Sequence, residues 1–433
     1  LKPFFFFFRK RPNFGNIDLE HRRITMVQMW EIVGGADKGG IIVRDGENTK
    51  SNQLDDRLST GALVEEIELK GDRLNYRLAV GTGPTTGWVS IKLKDKDLAL
   101  KTDKAPPPPP TQVGPKNEAP LPIALFFPGQ GSQYVKMLEK AKDLPPVKDM
   151  LEKSKPILGY DILDICLNGP EEKLEETRYC QPAMFIGGLA GLEKLREERS
   201  EAVDRASVMA GLSLGEYTAL CAAGVMSFED GLKLVKLRGE AMQEAATSGS
   251  KKQLMLSVAG IEKAKLDPLC KEAAAKEGAG GVCSVANCLF PSGFSVGGTE
   301  QAINTLKELA EKNGALQAKI LKTAGAFHTS LMQPAQDRLS AALEETLPNM
   351  KPPLHTVWMN ASGQPIRPGT DPNEIVALLK RQLTNPVLWE DSMKAVIREG
   401  VKEFYECGPM KQIKAMMKRI DPAAWKTTTN IEV

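Results

Sequence analysis

The stretch Ala206-Ser-Val-Met-Ala210, Gly211-Leu212-Ser213-Leu214-Gly215, Glu216-Tyr-Thr-Ala-Leu220 decides how the larger part of this chain folds. Its first five residues form a short apolar run, the length of a buried strand, and small and apolar residues at helical spacing follow from Ser213 to Ala223. Between them lies G-x-S-x-G, a pattern with chemical meaning when it joins a strand to a helix. The tight turn lifts the serine hydroxyl off the end of the sheet, and the helix N-terminus behind it favours developing negative charge. Glu216, in the first helical turn, suits the same dipole. A turn merely rich in small residues is the plainer alternative; pattern and context together favour a nucleophilic serine.

Outward from this stretch the same alternation continues. Short apolar strands are expected at Ile123 to Phe127, Val357 to Asn360 and Glu403 to Glu406. Longer helices are expected at Phe228 to Ala246, Leu331 to Leu347 and Pro409 to Ile420. Strand–helix alternation implies an α/β core with a mostly parallel sheet. Residues ~250–322 read β-α-β-β-α-β, the order of a ferredoxin-like insert.

Ahead of this core, residues 26–101 hold about five β-rich runs separated by Gly34-Gly35, Asp45-Gly46, Gly71-Asp72 and a Gly/Pro turn at 81–84. That spacing suggests a small all-β barrel, and Gly87-Trp88-Val89-Ser90 after the turn resembles SH3-like barrels. Trp88 is either the centre of a protein-interaction surface or, the favoured reading, a core or half-buried side chain. Residues 102–121 are proline-rich, with five consecutive prolines at Pro106 to Pro110, and read as an extended linker. Residues 1–25, with Phe4 to Phe8 followed by Arg9-Lys10-Arg11, read equally as a targeting remnant or as translated non-coding sequence. The expected division is therefore tail 1–25, barrel 26–101, linker 102–121 and core 122–422.

Composition narrows the function classes. Lys+Arg 57 against Asp+Glu 55 leaves +2, so no global field grips nucleic acid or an acidic membrane. The imbalance sits in the first 25 residues, six basic against two acidic. No apolar run approaches the ~18–20 residues of a bilayer span. The seven cysteines form no C-x-x-C pair and read as reduced buried thiols. With three histidines in the chain, a multi-histidine metal site is not expected.

A serine nucleophile needs a base within hydrogen-bond reach. His21 lies in the irregular tail, and His355, in an expected strand, reads as structural. His328, in Ala324-Gly-Ala-Phe-His-Thr-Ser330, has small neighbours that leave room for a substrate, and it is the best candidate by elimination. Phe127-Pro-Gly-Gln-Gly-Ser-Gln133 follows the first core strand; its glycines let backbone N–H groups approach a ligand, although alone it could be a glycine-rich turn.

Six motifs now stand in order: F-P-G-Q-G-S-Q, G-L-S-L-G-E-Y, R-G-E-A-M-Q (Arg238 to Gln243), G-A-F-H-T-S-L-M, R-Q-L-T-N-P-V-L-W (Arg381 to Trp389) and E-C-G-P-M-K-Q-I (Glu406 to Ile413). Over roughly residues 122–422 this series resembles the malonyl-CoA:acyl carrier protein transacylases. The resemblance implies an α/β-hydrolase-like core with a ferredoxin-like insert. It implies malonyl transfer from malonyl-CoA to acyl carrier protein through an ester on Ser213, with His328 as general base and the Gln382 carbonyl orienting it. It implies an oxyanion hole at the N–H groups of Gln130 and Leu214, where one donor is worth ~3–4 kcal/mol. Arg238 would clamp the free malonyl carboxylate, with Met242 and Phe327 beside it, and no metal or redox cofactor is implied. Two departures stand out: Leu212 replaces a usual histidine, and Leu289-Phe-Pro291-Ser-Gly293 lacks two usual polar side chains.

The resemblance leaves three readings of function: supply of fatty-acid synthesis, a trans-acting acyltransferase of a polyketide pathway, or a serine ester or thioester hydrolase. The expected partners are malonyl-CoA and an acidic acyl carrier protein, with a protein partner for the N-terminal barrel as a further reading. The expected compartment is a plastid or other organelle, otherwise the cytoplasm.

Overall fold

A computed structural model describes residues 28–84, 86–104, 119–323 and 325–433. The tail at 1–25 and the prolines at 106–110 lie outside the described residues. The chain divides into two compact units, Leu1–Gln112 and Val113–Val433.

The first unit is a seven-stranded sheet in the order Gln53–Leu58, Ile41–Arg44, Thr86–Ser90, Arg73–Val80, Leu63–Lys70, Met29–Ile32, Ala99–Thr102, antiparallel throughout. Period-two alternation puts Ile41 and Val43, and Leu74 and Tyr76, on one buried face. The sequence reading of five strands missed two. Gln53-Leu-Asp-Asp-Arg-Leu58 carries four polar side chains and so shows no β-rich run, but it lies at the sheet edge, where charge is usual. Ala99–Thr102, at the other edge, spans the expected barrel–linker boundary at 101/102 and is too short to leave a strand signal of its own. Trp88 is half-buried, with the Lys70 ammonium 5.6 Å from its ring centroid.

The second unit carries the chemistry. Its elements in chain order include β1 (Leu121–Phe127), α1 (Thr177–Glu198), β2 (Ala206–Gly211), α2 (Gly215–Ala222), α3 (Phe228–Thr247), β3 (Gln253–Ala259), α4 (Lys263–Glu277), β4 (Cys283–Phe290), β5 (Gly293–Thr299), α5 (Glu300–Lys312) and β6 (Gln317–Ile320). There follow α6 (Gln333–Thr346), β7 (Thr356–Trp358), β8 (Pro365–Ile366), α7 (Pro372–Gln382), β9 (Val387–Leu388), α8 (Trp389–Arg398), β10 (Glu403–Cys407), α9 (Gln412–Ile420) and β11 (Thr428–Ile431).

The main sheet runs β8-β7-β2-β1-β10-β11 and is parallel except for β8. Both faces are covered, which is why β1 is apolar at every position from Ile123 to Phe127. Ile123, Leu125 and Phe127 face one core with α1 and α3, and Ala124 and Phe126 face the other. Phe126 sits between Trp389 and Phe404, at 5.8 and 5.7 Å between ring centroids. The chain lays β2 and β10 on opposite sides of β1, so the strand order reverses there. In open parallel sheets, the carboxyl ends at such a point form a crevice. Phe127 pairs with Gly211 in register, so the two glycine-rich loops leave the sheet side by side.

The second sheet, β6-β3-β5-β4-β9, is antiparallel except for the β4–β9 pair. Its first four strands come from the stretch read at ~250–322, with α4 and α5 packed on one face. The fifth, Val387–Leu388, comes from 65 residues beyond it; a two-residue strand leaves no periodic signal. Similarly, β11 extends the main sheet past residue 422, where the sequence reading closed the domain. Among the described residues no helix is long and apolar enough to cross a membrane.

Candidate active site

Ser213 stands between β2 and α2 at φ +56°, a left-handed conformation that a side-chain-bearing residue adopts at a cost of ~1–3 kcal/mol. The flanking glycines make the turn: a Cβ on Gly211 would lie 1.8 Å from the Gly215 carbonyl, and one on Gly215 would lie 2.1 Å from the Phe127 oxygen. The Ser213 amide donates to Asn360 Oδ1 at 2.7 Å, and its carbonyl accepts from Gln382 Nε2 at 2.8 Å. The serine's backbone is thus held from both sides.

The Ser213 hydroxyl lies 2.7 Å from His328 Nε2, and His328 Nδ1 lies 2.8 Å from the Gln382 carbonyl. A ring whose Nδ1–H donates to that carbonyl presents a bare Nε2 to the hydroxyl. Burial, with the Arg238 charge adding to it, pulls the imidazole down to about 4, so it is neutral near pH 7. His355 is buried against the Ala206 carbonyl, 2.8 Å from Nδ1, a structural position away from the cleft. His21 lies outside the described residues.

Arg238, on α3, is fully buried. Its guanidinium donates to Gln181 Oε1 at 2.8 Å, to Gln382 Oε1 at 2.9 Å and to the Ser213 hydroxyl at 3.1 Å. Those three acceptors are neutral, and among the described residues no carboxylate is bonded to the cation. Burial pulls its pKa below the ordinary arginine value, a penalty that an anionic ligand would relieve.

These groups open onto a cleft of about 500 Å³ between the two sheets. Gln130, Leu214, Met242 and Phe327 all line it, as do Leu212 and Leu289. The N–H groups of Leu212, Ser213 and Gly215 are all taken, as is that of Gly131. Among the described residues no acceptor takes the N–H of Gln130 or Leu214, which leaves two donors beside the serine. The polar wall opposite is not lost with Leu289 and Gly293: Asn287 and Ser295, hydrogen-bonded to each other across β4 and β5, line the cleft instead.

Two residues at this site, Gln181 and Asn360, escaped the sequence reading, and Glu216 does more than that reading gives it. Gln181 lies on α1, whose first sixteen residues are mostly buried on every side; such a helix has no amphipathic stripe to reveal it. Asn360 follows β7, and its place at the carboxyl end of a strand next to β2 was the available signal. Glu216 was noted for the helix dipole alone, yet it is fully buried, accepts from Asn360 N at 2.8 Å and is hydrogen-bonded to Gln382 Nε2. Burial pushes its carboxyl up to about 7.

Comparison with known proteins agrees with this geometry. The model of the acyl transferase domain family matches residues 125–420. The mitochondrial malonyl-CoA-acyl carrier protein transacylase of Homo sapiens is 38% identical over 317 residues, covering 71% of this chain and 80% of the human protein. The malonyl CoA-acyl carrier protein transacylase of Escherichia coli strain K12 is 35% identical over 299 residues, covering 69% and 92%. Among solved structures, the transacylase of Coxiella burnetii has a TM-score of 0.65 and 32% identity, covering 72% of this chain and 94% of that one. A complex of a type II PKS acyl-carrier protein with its malonyl-transacylase gives a TM-score of 0.64 at 32% identity, covering 71% and 94%. A serine, a neutral histidine and an unpaired buried arginine at one cleft thus stand in a chain that matches these proteins over most of their length, and the chain belongs to the malonyl-CoA-acyl carrier protein transacylase family.

Proposed function

We propose that this chain transfers malonyl from malonyl-CoA to the phosphopantetheine thiol of acyl carrier protein through an ester on Ser213, feeding fatty-acid synthesis. One observation carries the reading: the Ser213–His328 contact lies beside a fully buried arginine bonded only to neutral groups. A plain ester hydrolase has no use for such a cation, whereas a substrate with a free carboxylate supplies its missing partner.

Neutral His328 takes the Ser213 proton at Nε2 as Oγ attacks the thioester carbonyl. The oxygen that gains charge is held by the N–H groups of Gln130 and Leu214. The intermediate collapses, the C–S bond breaks, and His328 returns the proton to the coenzyme A sulfur. The carrier thiol then attacks the seryl ester with His328 as base again, and Ser213 leaves with the proton restored. Through both halves Arg238 holds the malonyl carboxylate, while Met242 and Phe327 bound the acyl group. The Gln382 carbonyl keeps His328 in the required tautomer.

The parallel main sheet with a serine at its strand–helix turn supports an α/β-hydrolase-like core, and the β-α-β-β-α-β order of β3 to β6 supports a ferredoxin-like insert. The antiparallel sheet of the first unit supports the SH3-like barrel at 26–101, with a linker at 102–121 and the transferase domain from 122. The animal relatives are named mitochondrial, which supports an organelle as the compartment, with the plastid as the finer reading. The test of function is mass spectrometry after incubation with malonyl-CoA. A malonyl adduct on Ser213, absent in Ser213→Ala and discharged by holo-carrier, is expected; an adduct that persists in Ser213→Ala refutes the reading.

A further inference from the structure

Each of the two oxygens of Glu216 has its own donor. Oε1 accepts from the Asn360 amide at 2.8 Å, and Oε2 accepts from Gln382 Nε2. Both donors belong to residues that grip the nucleophile's turn. Asn360 Oδ1 takes the Ser213 N–H, while its Nδ2 donates to the Gly211 carbonyl at 2.8 Å. Gln382 Nε2 also donates to the Ser213 carbonyl. The strained φ of Ser213 is therefore held by two side chains that one buried carboxylate anchors.

The same carboxylate fixes which way the Gln382 amide faces. With Nε2 on Glu216 and the Ser213 carbonyl, Oε1 must face Arg238, at 2.9 Å. Turning the amide over would set two acceptors against its oxygen and the guanidinium against its NH2. Glu216 thus reaches Arg238 through one amide instead of pairing with it. A direct ion pair would cap the cation with a resident carboxylate; the intervening amide leaves the guanidinium's other edge for a ligand.

We propose that Glu216 is the positioning residue that ties the reactive serine turn to the arginine clamp, so that preference for a carboxylate-bearing acyl group depends on it. The proposal rests on malonyl transfer through Ser213 and names a determinant of its selectivity. It sets Glu216 apart from a structural carboxylate, because aiming Arg238 affects malonyl more than an uncharged acyl group.

The test compares Glu216→Gln with the wild type, with malonyl-CoA and acetyl-CoA as donors in the full chain. A glutamine has one acceptor oxygen for two donors, so one of the two contacts must break. Misplacement on the scale of 1 Å costs ~10²-fold in rate. The expected result is a fall of about 100-fold in kcat/KM for malonyl-CoA, with KM raised, and about tenfold for acetyl-CoA. Discrimination between the two donors then drops about tenfold. Glu216→Asp, which keeps a carboxyl group but cannot reach both donors, should lose less discrimination than the glutamine variant and serves if that variant does not fold. Parallel losses with both donors, or unchanged discrimination in the aspartate variant, overturn the proposal. A lowered KM for malonyl-CoA also overturns it, because that is the effect of merely removing a nearby negative charge. Failure of the wild type itself to form the Ser213 adduct would instead refute malonyl transfer.

Discussion

Replacing Arg238 with alanine deletes a fully buried guanidinium that donates to Gln181, Gln382 and the Ser213 hydroxyl. For an acyl group ending in a carboxylate, the change removes one partner of a desolvated charge pair, a loss of ~2–5 kcal/mol. At ~1.4 kcal/mol per tenfold, kcat/KM for malonyl-CoA should fall by roughly 30-fold to several thousand-fold. Acetyl-CoA has no carboxylate to lose. Its rate suffers only through the contact to the Ser213 hydroxyl, ~1 kcal/mol or about fivefold. Discrimination between the two donors should therefore shrink by one to three orders of magnitude, measured as the ratio of kcat/KM values for Ser213 acylation. Folding changes less, since the unpaired carbonyls of Gln181 and Gln382 cost ~1–3 kcal/mol each while a desolvated charge disappears. A urea midpoint measured alongside separates the two effects. Equal losses with malonyl-CoA and acetyl-CoA would refute the clamp and leave Arg238 a structural cation.

Two further outcomes follow from the same geometry. In a nitrogen-15 imidazole NMR titration, His328 should stay neutral on lowering pH through 6.5 and protonate near 4; a midpoint near 6.5 would refute its exclusion from water. The sign for stability follows: the folded state binds fewer protons than the unfolded one between those values, so the His328 contribution is full above pH 6.5 and is lost as pH falls towards 4. Gly215→Ala should destabilise the fold by ~1–3 kcal/mol or more, because its Cβ would meet the Phe127 oxygen at 2.1 Å. A urea midpoint equal to the wild type would show that the two loops are not pressed together as described.

The strands β1, β2 and β10 and the helices α3, α5 and α9 were legible because each carries its signal within its own residues. The apolar runs are short and bounded by glycine and proline, and the helices have polar faces. Helix α1 was not legible, since burial on all sides erases the stripe, and neither was β9, whose two residues pair only because the β4 edge is there to receive them. The first unit shows the same limit at its edges, where Gln53–Leu58 is a strand by virtue of its neighbour, Ile41–Arg44.

At the site the division has a sharper physical cause. The serine turn is a property of five consecutive residues, and G-x-S-x-G between a strand and a helix specifies it locally. Which histidine meets the serine was reachable by elimination among three, and the arginine only by resemblance. That Gln181, Ser213, Arg238, His328, Asn360 and Gln382 share one network depends on six segments from across the second unit meeting at the carboxyl ends of one sheet. Their charges were decided there too. The neutral state of His328, the raised carboxyl of Glu216 and the unpaired guanidinium of Arg238 follow from water being excluded around them. Exclusion of water belongs to the packed assembly, so a residue's identity in the sequence determines what proton it can carry, and only the tertiary structure determines whether it carries it.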